Sequence, residues 1–157
     1  MFVLIFPGSE VHLPEQSALV EYIGAWPPPN WQVSFRLTLL EDFTTWADIF
    51  YFTTNSGNTI GNRIPNCQIK GGNIVRVNTH IGNGEGLLFE KQLAVGTNVY
   101  IKIEQKTVGS EIYLIGYWNN VEIARVLHSG YAVMTTPVTL KFSNTHLKLI
   151  ISDFEYN

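Results

Sequence analysis

The fold is decided by the stretch "WQVSFRLTLL", residues 31–40. Trp31, Val33, Phe35, Leu37 and Leu39 fall on one side of an extended chain, with Gln32, Ser34, Arg36 and Thr38 on the other. A strand sends successive side chains to opposite faces, so this period marks a strand with one face in a core. Outward from it the same period recurs. "NVYIKIEQKT" sets Val99, Ile101 and Ile103 against Tyr100, Lys102 and Glu104; "VTLKFS" sets Val138, Leu140 and Phe142 against Thr139 and Lys141. "HLKLIISDFEY" sets Leu147, Leu149 and Ile151 against Lys148, Ile150 and Ser152. "EIYLIGYW" and "VEIARVL" are separated by Asn119 and Asn120, a pair suited to the positive φ angles of a tight hairpin turn. Shorter strands fit residues 2–6, 18–23, 48–54, 64–70 and 74–80.

One segment carries two patterns. In "LLEDFTTWADIFYF", Leu39, Phe43, Trp46, Ala47 and Phe50 also match a helical stripe, but the β-branched and aromatic residues 49–53 favour a strand. Trp31 and Trp46 are both expected in the core. Around a dozen strands, each with one apolar face, cannot close on a single flat sheet. They predict an all-β fold: a two-sheet antiparallel β-sandwich with alternate residues meeting between the layers. At 157 residues, the chain is read as one domain, residues 1–157.

Composition narrows the function. Apolar residues make up 45% of the chain and charged residues only 15%, which excludes a disordered segment and suits short polar side chains on strand surfaces. A net charge of −3 offers no basic patch for a phosphate backbone, so nucleic acid is not expected as a partner. The single cysteine, Cys67, excludes an internal disulfide and is expected as a small apolar core residue. "MFVLIF" is too short for a signal core and lacks a basic lead, and no run reaches membrane-spanning length, so no membrane insertion is expected.

The order of "WQVSFRL", "DIFYFTTNSGNTIGNRIP", "NVYIKIEQ", "EIYLIGYWNNVEIARV" and the closing "VTLKFSN…LIISDFEY" resembles the concanavalin A-like lectin/glucanase superfamily, jelly-roll sandwiches that include laminin-G-like modules. The resemblance covers residues 31–156. It implies a jelly roll, a lectin-like or adhesive role, a glycan or glycoprotein partner and an extracellular location. The superfamily's specific sites do not carry over. Glucanase members use E-x-D-x-x-E; here the acidic pair spaced by two is Asp153 and Glu155, with no third acid, so the chain is not expected to be an enzyme. The three aspartates Asp42, Asp48 and Asp153 are too scattered for the legume-lectin metal cluster. The H-x-N-x-R spacing of galectins is absent. Calcium at Asp42 or Asp48 would lack the six to eight oxygens it prefers, so no metal or other cofactor is expected.

Two polar regions are the candidate ligand surfaces. The first, residues 55–66, holds Asn55, Asn58, Asn62 and Arg63; the second, residues 78–85, holds His80, Asn83 and Glu85. Amides and carboxylates on loops bond sugar hydroxyls, and Trp118 beside Asn119 is the candidate stacking ring. Arg63 has a competing role, since its guanidinium can pin its own loop to Asp48. The expected function is non-catalytic carbohydrate recognition. The alternative is a structural or assembly domain that forms a homodimer through sheet edges, since an apolar first strand has no charge to guard it.

Overall fold

A computed structural model of the chain describes residues 11–12, 20–25, 30–53, 65–81, 84–128, 137–142 and 147–157. Among the described residues there are twelve strands and no helix. One six-stranded sheet runs in the order β1 (Val11–His12), β12 (Leu149–Tyr156), β3 (Trp31–Leu39), β8 (Asn98–Val108), β9 (Glu111–Trp118), β10 (Val121–Leu127). The other runs β2 (Val20–Ala25), β11 (Pro137–Phe142), β4 (Ala47–Thr53), β5 (Asn66–Lys70), β6 (Ile74–Ile81), β7 (Gly84–Gln92). Neighbours pair antiparallel throughout both sheets. The sandwich read from the sequence is therefore the observed architecture. Early strands β1 and β2 pair with late strands β12 and β11, so both sheets join distant parts of the chain.

The alternating apolar residues meet between the layers as expected. Trp31, Val33, Phe35, Leu37 and Leu39 of β3 are buried, and so are Val99, Ile101 and Ile103 of β8. Phe35 and Phe154 from one sheet meet Phe50 and Phe142 from the other. The Phe50 ring stands edge-on to Phe35 and to Phe154, both at 5.0 Å, and Phe142 lies 5.1 Å from Phe154. Edge-to-face contacts of this kind add about 0.5–1.5 kcal/mol per pair beyond the area they bury. Cys67 lies wholly buried in this core, where burial pushes its thiol pKa up and keeps it an inert apolar filler.

A bulge explains the last strand. Leu149 and Ile151 point inward, but so do Phe154 and Tyr156, and a strictly alternating strand cannot do both. The register of β12 against β3 shifts between Ser152 and Glu155, and Asp153 there adopts φ 51°. The extra residue re-phases the strand. The Asp153 carboxylate then pairs with Arg36 Nε at 3.1 Å on the exposed side. Asn119 and Asn120 take φ 51° and 64°, forming the hairpin turn their sequence predicts. Gly116 is required by packing: a Cβ there would stand 2.6 Å from the Phe89 ring of the facing sheet.

Two expectations change. Trp46 is not in the core; it is 56% exposed, because it precedes β4 in an irregular stretch and never enters the alternation. Residues 78–85 are not a loop: β6 continues to Ile81 and β7 begins at Gly84, with His80 paired to Glu85 across the hairpin. β7 escapes a period-two reading because it forms the edge of its sheet and "LLFEKQ" does not alternate. β1, two residues long, is too short to leave a pattern. The strand expected at residues 2–6 lies outside the described residues, as does most of the segment at 55–66.

Candidate functional site

The outer face of the β4–β7 sheet holds a row of polar side chains that cross-strand pairing places side by side. The register aligns Asp48 with Gln68, Gln68 with Arg76 and Arg76 with Glu90, one residue from each of four strands. The next rung on this face aligns Tyr51, Asn66, Asn78 and Leu87. Phe50, Cys67, Val77 and Phe89 lie between them on the core side. Strand pleating therefore separates an apolar row from a polar one, two residues per repeat.

The polar row is closed by its own hydrogen bonds. Gln68 Nε2 donates to Asp48 Oδ1 at 2.8 Å, and Asn66 Nδ2 donates to the same oxygen at 3.2 Å. Asn78 Nδ2 donates to Gln68 Oε1 at 2.9 Å, and Arg76 Nε donates to Asn78 Oδ1 at 2.8 Å. Arg76 Nη1 reaches Glu90 Oε1 at 3.2 Å, while Lys70 Nζ donates to both Glu90 oxygens at 2.8 and 2.9 Å. Asn66, Gln68 and Asn78 are buried. A buried amide left unsatisfied costs about 1–3 kcal/mol, so this connectivity holds each group in one orientation.

Trp46 caps one end of the row. Its indole lies 5.5 Å from Lys70 Nζ and 5.4 Å from the Arg76 guanidinium carbon. Side-chain exposure is 22% for Lys70 and 25% for Arg76, against 56% for Trp46, so the indole is the outermost group. The turn between β5 and β6 sets its position. Gly72 N donates to Phe43 O at 2.9 Å, and Phe43 N donates to Asn73 Oδ1 at 2.7 Å. Gly72 and Asn73 sit at φ 82° and 59°, and a Cβ on Gly71 would lie 2.8 Å from the Thr44 carbonyl oxygen. "GGN" is thus what allows this turn to dock against residues 43–44 and bring Trp46 back over the strands it connects.

Hydrogen bonding from Lys70 holds the Glu90 carboxyl below the usual glutamate range, opposed by modest desolvation and aided by the charges of Lys70 and Arg76. A depressed carboxylate contributes stability that is present above the unfolded value and lost as pH falls through the folded one. The Lys70–Glu90–Arg76 cluster should therefore stay intact at neutral pH and open only once the pH has fallen below the range in which an ordinary glutamate protonates. A pH series of two-dimensional NMR spectra checks this: Lys70, Arg76 and Glu90 resonances should hold constant through the range in which an ordinary glutamate protonates and move together only at lower pH.

Of the residues singled out in the sequence, Asn55, Asn58, Asn62, Arg63 and Asn83 lie outside the described residues. His80 is near the end of β6 and Glu85 near the start of β7. Antiparallel pairing puts the β4–β5 and β6–β7 connections at the same end of the sheet, opposite the end marked by Trp46. Trp118 and Asn119 belong to the other sheet. Trp118 is half-buried, edge-on to Phe89 at 6.4 Å, with Lys91 Nζ 5.3 Å from its ring. The Asn119 side chain accepts from Tyr100 N at 2.9 Å.

Sequence reading missed Trp46, Gln68, Arg76, Asn78 and Glu90 as a group. A signal existed: Arg76, Asn78 and His80 alternate along β6, the residue types of the galectin spacing in reversed order. The outer face of the other sheet is more self-contained. Tyr117 donates to Glu104 and Tyr113 to Glu111, and burial followed by the Glu104 bond pushes Tyr117 up to about 12. Among the described residues no group of three or more His, Cys, Asp or Glu could hold a metal, and no helix is long and apolar enough to cross a membrane.

No protein-family model and no curated protein matches the sequence. Solved structures do match in shape. A native heptameric SAP-like pentraxin from Limulus polyphemus is 13% identical with a TM-score of 0.59, covering 97% of this chain and 73% of its own. The alginate lyase AlyC3 in complex with dimannuronate is 7% identical with a TM-score of 0.56, covering 89% and 74%. Trypanosoma rangeli sialidase is 5% identical with a TM-score of 0.54, covering 81% of this chain and 20% of its own. Structures of this shape thus include both enzymes and a protein named as a pentraxin. With two antiparallel sheets, interleaved chain ends and these matches, the chain carries the concanavalin A-like jelly-roll fold.

Proposed function

We propose that this chain is a non-catalytic carbohydrate-recognition module whose ligand lies on the outer face of the β4–β7 sheet. One observation carries the reading: an exposed indole, Trp46, stands beside a row of fixed hydrogen-bonding groups on a rigid sheet. A sugar presents a C–H face to an aromatic ring and a rim of hydroxyls to donors and acceptors. Asp48, Arg76 and Glu90 supply both kinds, held in place from beneath by the buried amides of Gln68 and Asn78, so little side-chain entropy is lost on binding. From Lys70 to Asn66 the face extends for about 13 Å along the strands. The fold neighbours that act on or hold sugars support carbohydrate as the ligand class.

Spacing argues against hydrolysis on this face. Asp48 and Glu90 stand on strands three apart, roughly 14 Å at the usual inter-strand distance, whereas paired glycosidase carboxyls lie about 5–9.5 Å apart. Glu90, ionised and held by Lys70, is an acceptor for a hydroxyl and not a proton donor.

Self-association is the second reading. It is favoured by the edge strand β10, where Val121 and Leu127 are 63% and 49% exposed. A glycan array read beside the solution mass of the same sample separates the two. Binding by a monomer supports recognition, whereas a stable oligomer with an empty array would overturn it in favour of assembly.

A further inference from the structure

Two cations share one carboxylate beside the indole. Lys70 Nζ lies 2.8 and 2.9 Å from the two oxygens of Glu90, and Arg76 Nη1 lies 3.2 Å from one of them. One positive charge is left in excess, and the other described charges of this region do not remove it. Asp42, at the turn, accepts from Asn73 Nδ2 at 2.6 Å and forms no ion pair with either cation. Asp48 stands two strands from Arg76, roughly 10 Å at the usual spacing and about one screening length at ordinary salt. Lys141 lies on β11, one strand beyond Asp48. Resting on the carbohydrate reading above, we infer that this site selects acidic sugars, taking a carboxylate or sulfate at Arg76 and Lys70 while the sugar ring stacks on Trp46.

The donors for such a group are already in place. Arg76 gives Nε to Asn78 and Nη1 to Glu90, so among the described residues both protons of Nη2 remain for an acceptor. Lys70 uses at most two of its three protons on Glu90. Both cations lie within 5.5 Å of the indole centroid, so a ring stacked there carries its exocyclic acid group close to them. No existing bond has to break. A hydroxyl would accept from the same donors, but bonds to an anion are roughly twice as strong. Glu90 opposes the incoming charge, yet two cations stand against that one carboxylate, and at comparable distances their attraction exceeds its repulsion. The ligand's charge then brings the cluster to neutrality. Glu90 keeps a separate use: its Oε2, which accepts only from Lys70, is available to a hydroxyl next to the acid group.

The test uses an array carrying each oligosaccharide in neutral, uronate and sulfated forms, read with the wild-type chain, Trp46→Ala, Arg76→Gln and Glu90→Gln. Wild type should bind an acidic form at least about tenfold more tightly than its neutral parent, and the difference should shrink as salt rises. Arg76→Gln should bring the two forms close to parity. Glu90→Gln should widen the preference, because the opposing carboxylate is gone and its donors are released. Arg76 bonds the buried Asn78, so its replacement can disturb the sheet; a gain in affinity in Glu90→Gln cannot come from misfolding. Equal or tighter binding of the neutral forms by wild type, lost in Trp46→Ala, would overturn the inference while upholding the site. A preference left unchanged in a folded Arg76→Gln, or not widened in Glu90→Gln, would also overturn it. Wild-type binding that survives Trp46→Ala unaltered, or an array with no binding at all, would remove the site reading itself and the inference with it.

Discussion

Replacing Trp46 with alanine should weaken glycan binding by about 30-fold, the effect of losing a central aromatic contact of about 2 kcal/mol. The ring is more exposed than the Lys70 and Arg76 side chains it lies against and is the large aromatic surface set beside the polar row. The fold should survive the change. Trp46 contributes nothing to the buried core, and its contacts with Lys70 and Arg76 are cation–π interactions at part-exposed sites, about 0.5–1 kcal/mol each. Thermal melting should therefore fall by only a few degrees for a chain of this size. Titration calorimetry with a glycan found on the array, set beside a melting curve, measures both. Undiminished affinity would remove Trp46 from the site. A collapse of the melt would show that the indole is structural.

Phe50→Ala should behave in the opposite way. Phe50 is fully buried at the point where the two sheets meet, with rings of Phe35 and Phe154 at 5.0 Å and those of Phe142 and Phe52 at 6.1 and 6.3 Å. Removing it leaves a cavity walled by aromatic rings from both layers, which cannot collapse without moving the sheets. The expected cost is about 3–5 kcal/mol, a large share of the roughly 5–15 kcal/mol that holds a domain folded. That corresponds to a drop of ~10 °C or more in melting temperature. Chemical denaturation should show a lower midpoint with an unchanged slope, since the surface exposed on unfolding is nearly the same. A midpoint within a few tenths of a molar of the parent would mean that the sheets do not meet at Phe50.

The two substitutions lie four residues apart, within the segment that carries both a strand and a helical pattern. Phe50 answers to the strand period, whereas Trp46 matches only the helical stripe, which the structure does not form. Nothing in "EDFTTWADIF" distinguishes an aromatic bound for the core from one bound for the surface. What separates them is tertiary: the turn at residues 71–73 docks on the stretch before β4, its Asn73 side chain accepting from Phe43 N, so that Phe43 packs against the core while Trp46 is left on the surface. β12 gives the same lesson in reverse. Its alternation through Ile151 would turn Phe154 outward, and only the bulge at Asp153 sends that ring between the sheets.

The chain's own pattern was enough to establish most of its strands, though not β1 or β7, together with the two-layer arrangement, the Asn119–Asn120 turn and the burial of Cys67. Each depends on neighbours in sequence: period two, residues that tolerate positive φ, and apolar content. The candidate site depends on neighbours in space. Asp48, Gln68, Arg76 and Glu90 are spread over 43 positions of sequence and become adjacent only when four strands pair in one particular register. Register is a property of the assembled sheet: a slip of one residue in any strand would turn its polar side chains toward the core and break the row.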